Sequence, residues 1–276
     1  MPSRQRTGPP VVLSVAGHDP SSGAGITADV KTIAAHGCYA LTCVTALTVQ
    51  STRSVRSFEA VDGRVITESL EELAADFSIS AVRIGMLGSA EAVRAIAAFI
   101  RRHELGNVVL DPVLKSSSGM ELISSEGGQM LKQKLLPLAY VVTPNIDEAS
   151  ALTGLSVSNV EQMEAAAAAL HKLGARNVII TGGHLDPPND LLSLAAGKGV
   201  KLFTGKKISG QSTHGTGCAF ATALACNLAL GRSLMDSTEA AKQYVVNAIR
   251  NAVPLGRGTG PLNHLAANSR TRKLAN

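Results

Sequence analysis

Short apolar runs, many of them β-branched, alternate along this chain with longer stretches in which apolar positions recur every three or four residues. The short runs at residues 11–16, 40–46, 81–84, 107–110, 140–143 and 177–181 predict strands. The longer stretches predict helices at 24–36, 64–78, 90–103, 127–135, 146–152, 160–173, 216–230 and 237–252. Such alternation from end to end is the pattern of an α/β protein, a mostly parallel sheet covered by helices. Residues 191–196 and 200–203, on either side of Gly197-Lys198-Gly199, read instead as an antiparallel hairpin added late to that sheet. No stretch reads as a linker or an internal repeat. The expectation is therefore one domain over residues 11–265, between tails at 1–10 and 266–276.

Composition narrows the picture. The 276 residues are 45% hydrophobic but only 3% aromatic, with no Trp, so the core must be built from Ala, Leu, Val and Ile. No apolar run approaches the ~18 residues of a membrane span, and residues 1–10 lack the apolar centre of a secretory signal. A cytoplasmic protein with no membrane partner is expected. The net charge of +5 suggests a nucleic-acid partner until its location is considered. Arg4, Arg6, Arg270, Arg272 and Lys273 all lie in the tails, and without them basic and acidic residues balance at 21 each. A neutral body argues against nucleic-acid binding. Cys38, Cys43, Cys218 and Cys226 have no zinc-like spacing, and Cys218 and Cys226 would stand about 12 Å apart on one helix, too far for a disulfide.

Chemistry-bearing residues gather where strands are predicted to end. Gly17-His18-Asp19, Gln50, Gly85-Met86, Asp111-Pro112-Val113, Thr143-Pro144-Asn145 and Gly182-Gly183-His184 each follow a strand. Ligands of open α/β sheets bind at that edge. Ser212 to Ala219 (Ser-Thr-His-Gly-Thr-Gly-Cys-Ala) runs directly into the helix predicted from Thr216. Its free N–H groups and the helix dipole suit an anion, and the same dipole favours a thiolate at Cys218. A tight backbone turn with a buried core cysteine explains the same residues, and a thiol hydrolase pairing Cys218 with His214 would need a further orienting group. No Walker A loop is present. Gly23-Ala24-Gly25-Ile26-Thr27-Ala28 fits a dinucleotide fingerprint, but it stands too far from the first strand, and the next strand ends without an acid for a ribose.

Taken together, Ala16-Gly17-His18-Asp19-Pro20-Ser21-Ser22-Gly23-Ala24-Gly25, Thr45 to Gln50, Ile84-Gly85-Met86-Leu87, Asp111-Pro112-Val113, Thr143 to Ala149, Gly182-Gly183-His184 and Thr213 to Cys218 resemble the hydroxymethylpyrimidine and phosphomethylpyrimidine kinases of thiamine biosynthesis. The resemblance implies a ribokinase-like three-layer αβα sandwich. It also implies ATP-dependent phosphorylation of 4-amino-5-hydroxymethyl-2-methylpyrimidine and then of its monophosphate, with Mg2+, in a homodimer. By position, Gln50 would read the pyrimidine edge, Met86 and Val113 would line the ring pocket, and Gly17 would let the backbone approach it. Asp111 and Glu148 would hold the metal. Asn145, Thr181, Gly183, Thr216 and Lys242 would serve ATP. Cys218 would be the general base, with Gly215, Thr216 and Gly217 stabilising the moving charge.

Three positions depart from the family pattern. Thr181 stands where lysine is frequent, Ser117 stands where the loop after Asp111 often has lysine, with Lys115 nearby, and His18 stands where a small polar residue is frequent. A pyridoxal or pyridoxine kinase of the same fold is the alternative, since its acceptor is also a flat ring bearing a hydroxymethyl group. A non-catalytic vitamin sensor is a further alternative, but it would have no need of Asp111, Glu148 or the Gly215–Cys218 loop.

Overall fold

The computed structural model describes residues 8–183, 185–195, 199–208 and 212–266. Residues 1–7 and 267–276 of the expected tails, His184, and residues 196–198 of the hairpin lie outside the described residues.

A nine-stranded sheet is formed by β1 (Val11–His18), β2 (Tyr39–Gln50), β3 (Val55–Ala60), β4 (Ile79–Ile84), β5 (Val108–Leu110), β6 (Val141–Val142), β7 (Val178–Ile180), β8 (Asp190–Ser193) and β9 (Val200–Phe203), in the order β3-β2-β1-β4-β5-β6-β7-β8-β9. From β2 through β7 neighbouring strands are parallel. The late hairpin forms as expected, β8 and β9 running antiparallel to each other and β8 antiparallel to β7. An antiparallel strand at the other edge, β3 on β2, was not expected. Its residues Val55 to Ala60 are largely exposed, so they lack the apolar alternation that marks a half-buried strand.

Eight α-helices accompany the sheet among the described residues: α1 (Gly25–Ala35), α2 (Gly63–Asp76), α3 (Ala90–Arg102), α4 (Ser125–Met130), α5 (Ile146–Thr153), α6 (Val160–Lys172), α7 (Thr216–Ala229) and α8 (Leu234–Arg250). Strand residues alternate between two cores. Leu13, Val15, Val108, Leu110, Val178 and Ile180 pack with α2, α3, α5 and α6, while Val12, Val109 and Ile179 pack with α1, α7 and α8. Burial on both faces is why these strands read as unbroken apolar runs. Side-chain caps start most helices: Ser89 for α3, Ser124 for α4, Asn159 for α6 and Ser233 for α8. Ser124 and Ser233 start α4 and α8 two and three residues before the positions expected from apolar spacing.

Helix α7 is different. Every residue from Ala219 to Ala229 is buried, and small side chains let it lie close to the sheet, α1 and α8. Its N-cap, Gly215, is left-handed at φ 84° with no side-chain cap, so the helix start is left open for a ligand.

Candidate active site

β1 lies between β2 and β4, so strand order reverses beside it and opens a crevice at the carboxyl ends. Five segments that sequence reasoning named meet there: the loop after β1, the end of β2, and the segments following β4, β5 and, from α7, Gly215 to Cys218.

The apolar part holds Gly17, Met86 and Val113. A Cβ on Gly17 would stand 2.8 Å from Met86 Sδ, so any larger residue here would push the Met86 side chain aside. Met86 belongs to a small cluster with Ala46 and Leu122, against which Val113, Val55 and Phe58 pack. The Thr45 hydroxyl donates to the Met86 carbonyl (2.5 Å) and fixes that segment to β2.

Gln50 closes β2 and is tied to the loop before α7. Its Nε2 is 3.2 Å from His214 Nε2, its Oε1 is 3.2 Å from Thr48 Oγ1, and His214 Nε2 lies 3.0 Å from Asp19 Oδ2. Asp19 accepts from the Ser21, Gly23 and Ala24 N–H groups as well. Burial opposes its charge, but the His214, Ser21 and Ala24 hydrogen bonds prevail and hold its carboxyl below the ordinary value.

A buried ionic cluster lies beneath the α7 start. Arg83, fully buried near the carboxyl end of β4, donates from Nη1 to Asp29 Oδ2 (3.0 Å) and from Nη2 to Asp111 Oδ2 (2.6 Å). Asp29 also accepts from Ser14 Oγ (2.6 Å) and Thr222 Oγ1 (2.7 Å). Cys218 faces the same charges, and here one expectation is corrected. The thiol is not a thiolate: burial pushes its pKa up to about 12, Asp111 and Asp29 add to the rise, and Arg83 with the Gly25 N–H offsets only part of it. Although the residue is partly exposed, the sulfur is enclosed, and desolvation outweighs the helix dipole. Neither Arg83 nor Asp29 was singled out from sequence. The available signal was an arginine inside the apolar run Ala81-Val82-Arg83-Ile84, since a charge in a strand buried on both faces must be paired.

Asn145 and Glu148 form a reciprocal cap on α5: Asn145 Oδ1 accepts from the Glu148 N–H and Glu148 Oε2 from the Asn145 N–H, each at 2.9 Å. Burial, then the neighbouring Asp111 charge, raises Glu148 to about 8. Thr181 bridges to Asn145, and Gly183 is exposed two residues further on. Lys242 does not present a free charge to this edge. Its Nζ donates to Asp190 Oδ2 (2.5 Å) and the Pro188 carbonyl (3.2 Å), and Asp190 in turn accepts from the Gly182 N–H. Thr216 and Gly217 occupy the first turn of α7, Thr216 half-buried and Gly217 exposed. Lys115 pairs with Glu121 on the surface (2.8 Å).

A mostly parallel sheet between helical layers, with a glycine-capped helix start at the crevice, defines a small-molecule kinase of the ribokinase-like fold. The chain belongs to the phosphomethylpyrimidine kinase family, whose model matches residues 19–263. It is 40% identical to the hydroxymethylpyrimidine/phosphomethylpyrimidine kinase of Haemophilus influenzae, over 92% of this chain and 96% of that one. It is 45% identical to the thiamine biosynthesis bifunctional protein ThiED of Geobacter sulfurreducens over 93% of this chain, and spans 52% of that longer protein. Among solved structures, the ADP complex of Bacillus subtilis pyridoxal kinase superposes with a TM-score of 0.86 at 32% identity, covering 95% of this chain and 99% of that one. Phosphomethylpyrimidine kinase from Clostridium difficile 630 does so with a TM-score of 0.77 at 34% identity, covering 87% and 99%.

Proposed function

We propose that this chain transfers a phosphoryl group from ATP to the hydroxymethyl oxygen of 4-amino-5-hydroxymethyl-2-methylpyrimidine, and a second to the resulting monophosphate. The observation that carries the reading is the convergence of Gln50, the Gly17–Met86–Val113 surface, Asp111 and the Gly215–Cys218 loop, distant in sequence, at one sheet edge. Gln50 offers an amide that can match an aminopyrimidine edge, and the apolar group offers a face for the ring.

In this proposal the α7 start holds the transferring phosphoryl group through the Gly215, Thr216 and Gly217 N–H groups. Asn145, Thr181 and Gly183 line the nucleotide side. Lys242 supports Asp190 and, through it, the Gly182 backbone. Cys218 is the proton acceptor for the first step. A thiol at rest, it must first lose its own proton to solvent, and the thiolate, which Arg83 and the Gly25 N–H favour against burial, then takes the hydroxyl proton as the loose transition state makes that oxygen acidic. The second acceptor is already an anion and does not require this.

Asp111 and Glu148 suit a magnesium ion. Both are hard oxygen donors, and the Asp111 charge raises Glu148, a repulsion that a divalent cation would relieve. Among the described residues no group of three or more His, Cys, Asp or Glu side chains could hold a metal. Phosphate oxygens and water would therefore complete the shell, as magnesium commonly accepts. When bound, the ion would neutralise phosphate charge.

One kinase domain over residues 11–265, a homodimer and a cytoplasmic setting belong to the same proposal. Leu47 and Val49, exposed on β2 near the sheet edge, offer apolar surface for a second copy, and a monomeric mass in solution would refute the dimer. No described helix is long and apolar enough to cross a membrane.

Pyridoxal phosphorylation is the second reading, favoured by the match to the Bacillus pyridoxal kinase. Mass spectrometry of products formed from Mg-ATP with the pyrimidine, its monophosphate or pyridoxal separates them. Diphosphate from the monophosphate is the expected result; phosphorylation of pyridoxal alone would overturn it.

A further inference from the structure

We propose that His214, anchored by Asp19, fixes the orientation of the Gln50 amide and thereby sets which ring edge the site accepts. The inference rests on the assignment of Gln50 to the ring edge. It starts from a conflict of donors. A carboxylate only accepts hydrogen bonds, so His214 Nε2, 3.0 Å from Asp19 Oδ2, carries the proton. A protonated ring nitrogen cannot also accept from Gln50 Nε2, 3.2 Å away. Turning the amide by half a revolution removes the conflict. Oε1 then faces His214 and shares its single Nε2–H with Asp19 in a three-centre hydrogen bond, while the NH2 group faces Thr48 Oγ1. That hydroxyl is able to accept, because its own proton goes to the His18 carbonyl (2.9 Å).

The imidazole is held through both its ring and its backbone. Its side chain and that of Asp19 are 12% and 4% exposed, so the pair is shielded from competing water. A Cβ on Gly23 would collide with the ring, which fixes its plane against the loop after β1. The His214 N–H donates to the Gly260 carbonyl (3.2 Å) within a parallel bridge to Pro261, which fixes the backbone. With Oε1 and Nε2 each holding one internal partner, the amide keeps one acceptor lone pair and one N–H for a ligand, in a fixed left-to-right order. A ring nitrogen beside an exocyclic amino group meets both. A ring whose corresponding edge carries a hydroxyl and no amino group does not meet them in that order.

The test compares His214→Leu, His214→Gln and Gln50→Leu, measuring steady-state kinetics with the pyrimidine, with pyridoxal and with ATP. His214→Leu should raise the KM for the pyrimidine about tenfold, the scale of one orienting hydrogen bond, and lower the pyrimidine-to-pyridoxal ratio of kcat/KM. The KM for ATP should not follow, and His214→Gln, which keeps an N–H donor, should recover most of the ratio. An equal loss on both rings, or no recovery in a folded His214→Gln, would make His214 a structural tie and overturn the proposal. Gln50→Leu separates the underlying reading: an unchanged pyrimidine KM in that variant removes Gln50 from the ring edge, and the proposal with it. Should the His214 variants not fold, 15N shifts of the imidazole in the unmutated protein decide. An Nε2–H tautomer supports the mechanism, and an unprotonated Nε2 overturns it.

Discussion

Arg83→Met isolates the ionic cluster beneath the α7 start. The arginine is fully buried and donates to two carboxylates, Asp29 at 3.0 Å and Asp111 at 2.6 Å. Methionine preserves much of the stem volume but removes the only cation paired with either acid among the described residues. Asp29 keeps Ser14 and Thr222 as donors, whereas Asp111 loses its charge partner. Removing one member of a buried pair costs about 3–5 kcal/mol, because the surviving charge stays desolvated. For a chain of this size, that lowers the melting temperature by roughly 10 °C, at about 2–4 °C per kcal/mol. Calorimetry or circular dichroism on the single variant and on Arg83→Met with Asp29→Asn measures both the loss and the coupling. The double variant should be less destabilised than the sum of the singles by at least about 1.5 kcal/mol, since neutralising Asp29 removes part of the uncompensated charge. A loss below about 1 kcal/mol for Arg83→Met, the level of an exposed ion pair, would refute the reasoning, and so would strict additivity.

Three further outcomes are expected. His264 is buried, its Nδ1 3.1 Å from Thr32 Oγ1 and its Nε2 without a hydrogen-bond partner, and burial lowers its pKa to about 4. The unfolded chain therefore binds this proton first. Stability unaffected above pH 6.5 should fall by about 1.4 kcal/mol per pH unit between about 6.5 and 4 from this group, and His264→Asn should flatten that part of the urea-midpoint profile; an unchanged profile would count against it. Alkylation of Cys218 by iodoacetamide should be on the order of a thousandfold slower at pH 8 than that of an ordinary thiol, with no plateau below pH 10, because its pKa is about 12; a plateau near pH 8 would restore the thiolate. Gly215→Ala should lower kcat by at least about a hundredfold, because φ is 84° and a Cβ there would strike the Gly23 carbonyl; near-normal turnover in this variant would show that the loop yields without loss.

Much of the fold was legible because the strands are buried on both faces. Val11 to Ala16, Val108 to Leu110 and Val178 to Ile180 leave no polar alternation to confuse with a surface strand, and helical periods separate them. β3 was not legible for the opposite reason. Arg56, Ser57, Glu59 and Ala60 are exposed, and the strand is specified mainly by its antiparallel ladder to β2, a long-range fact that local pattern does not carry. The sheet edge that gathers the site could be read from glycines and prolines following strands. The partners of those residues could not. Cys218 illustrates the difference: its place at the start of α7 is visible in the sequence, but its upward pKa shift comes from burial among Arg83, Asp111 and Asp29, which belong to β4, the segment after β5 and α1. The dipole argument treats a helix end as though it stood in water. Enclosing the sulfur turns a modest preference for the anion into a larger penalty against it. The same reasoning makes a lone charged residue within an apolar strand the most useful signal left unread, because burial on both faces obliges Arg83 to find acids, and the acids it finds bring β1, β4, β5 and α7 together around the reacting groups.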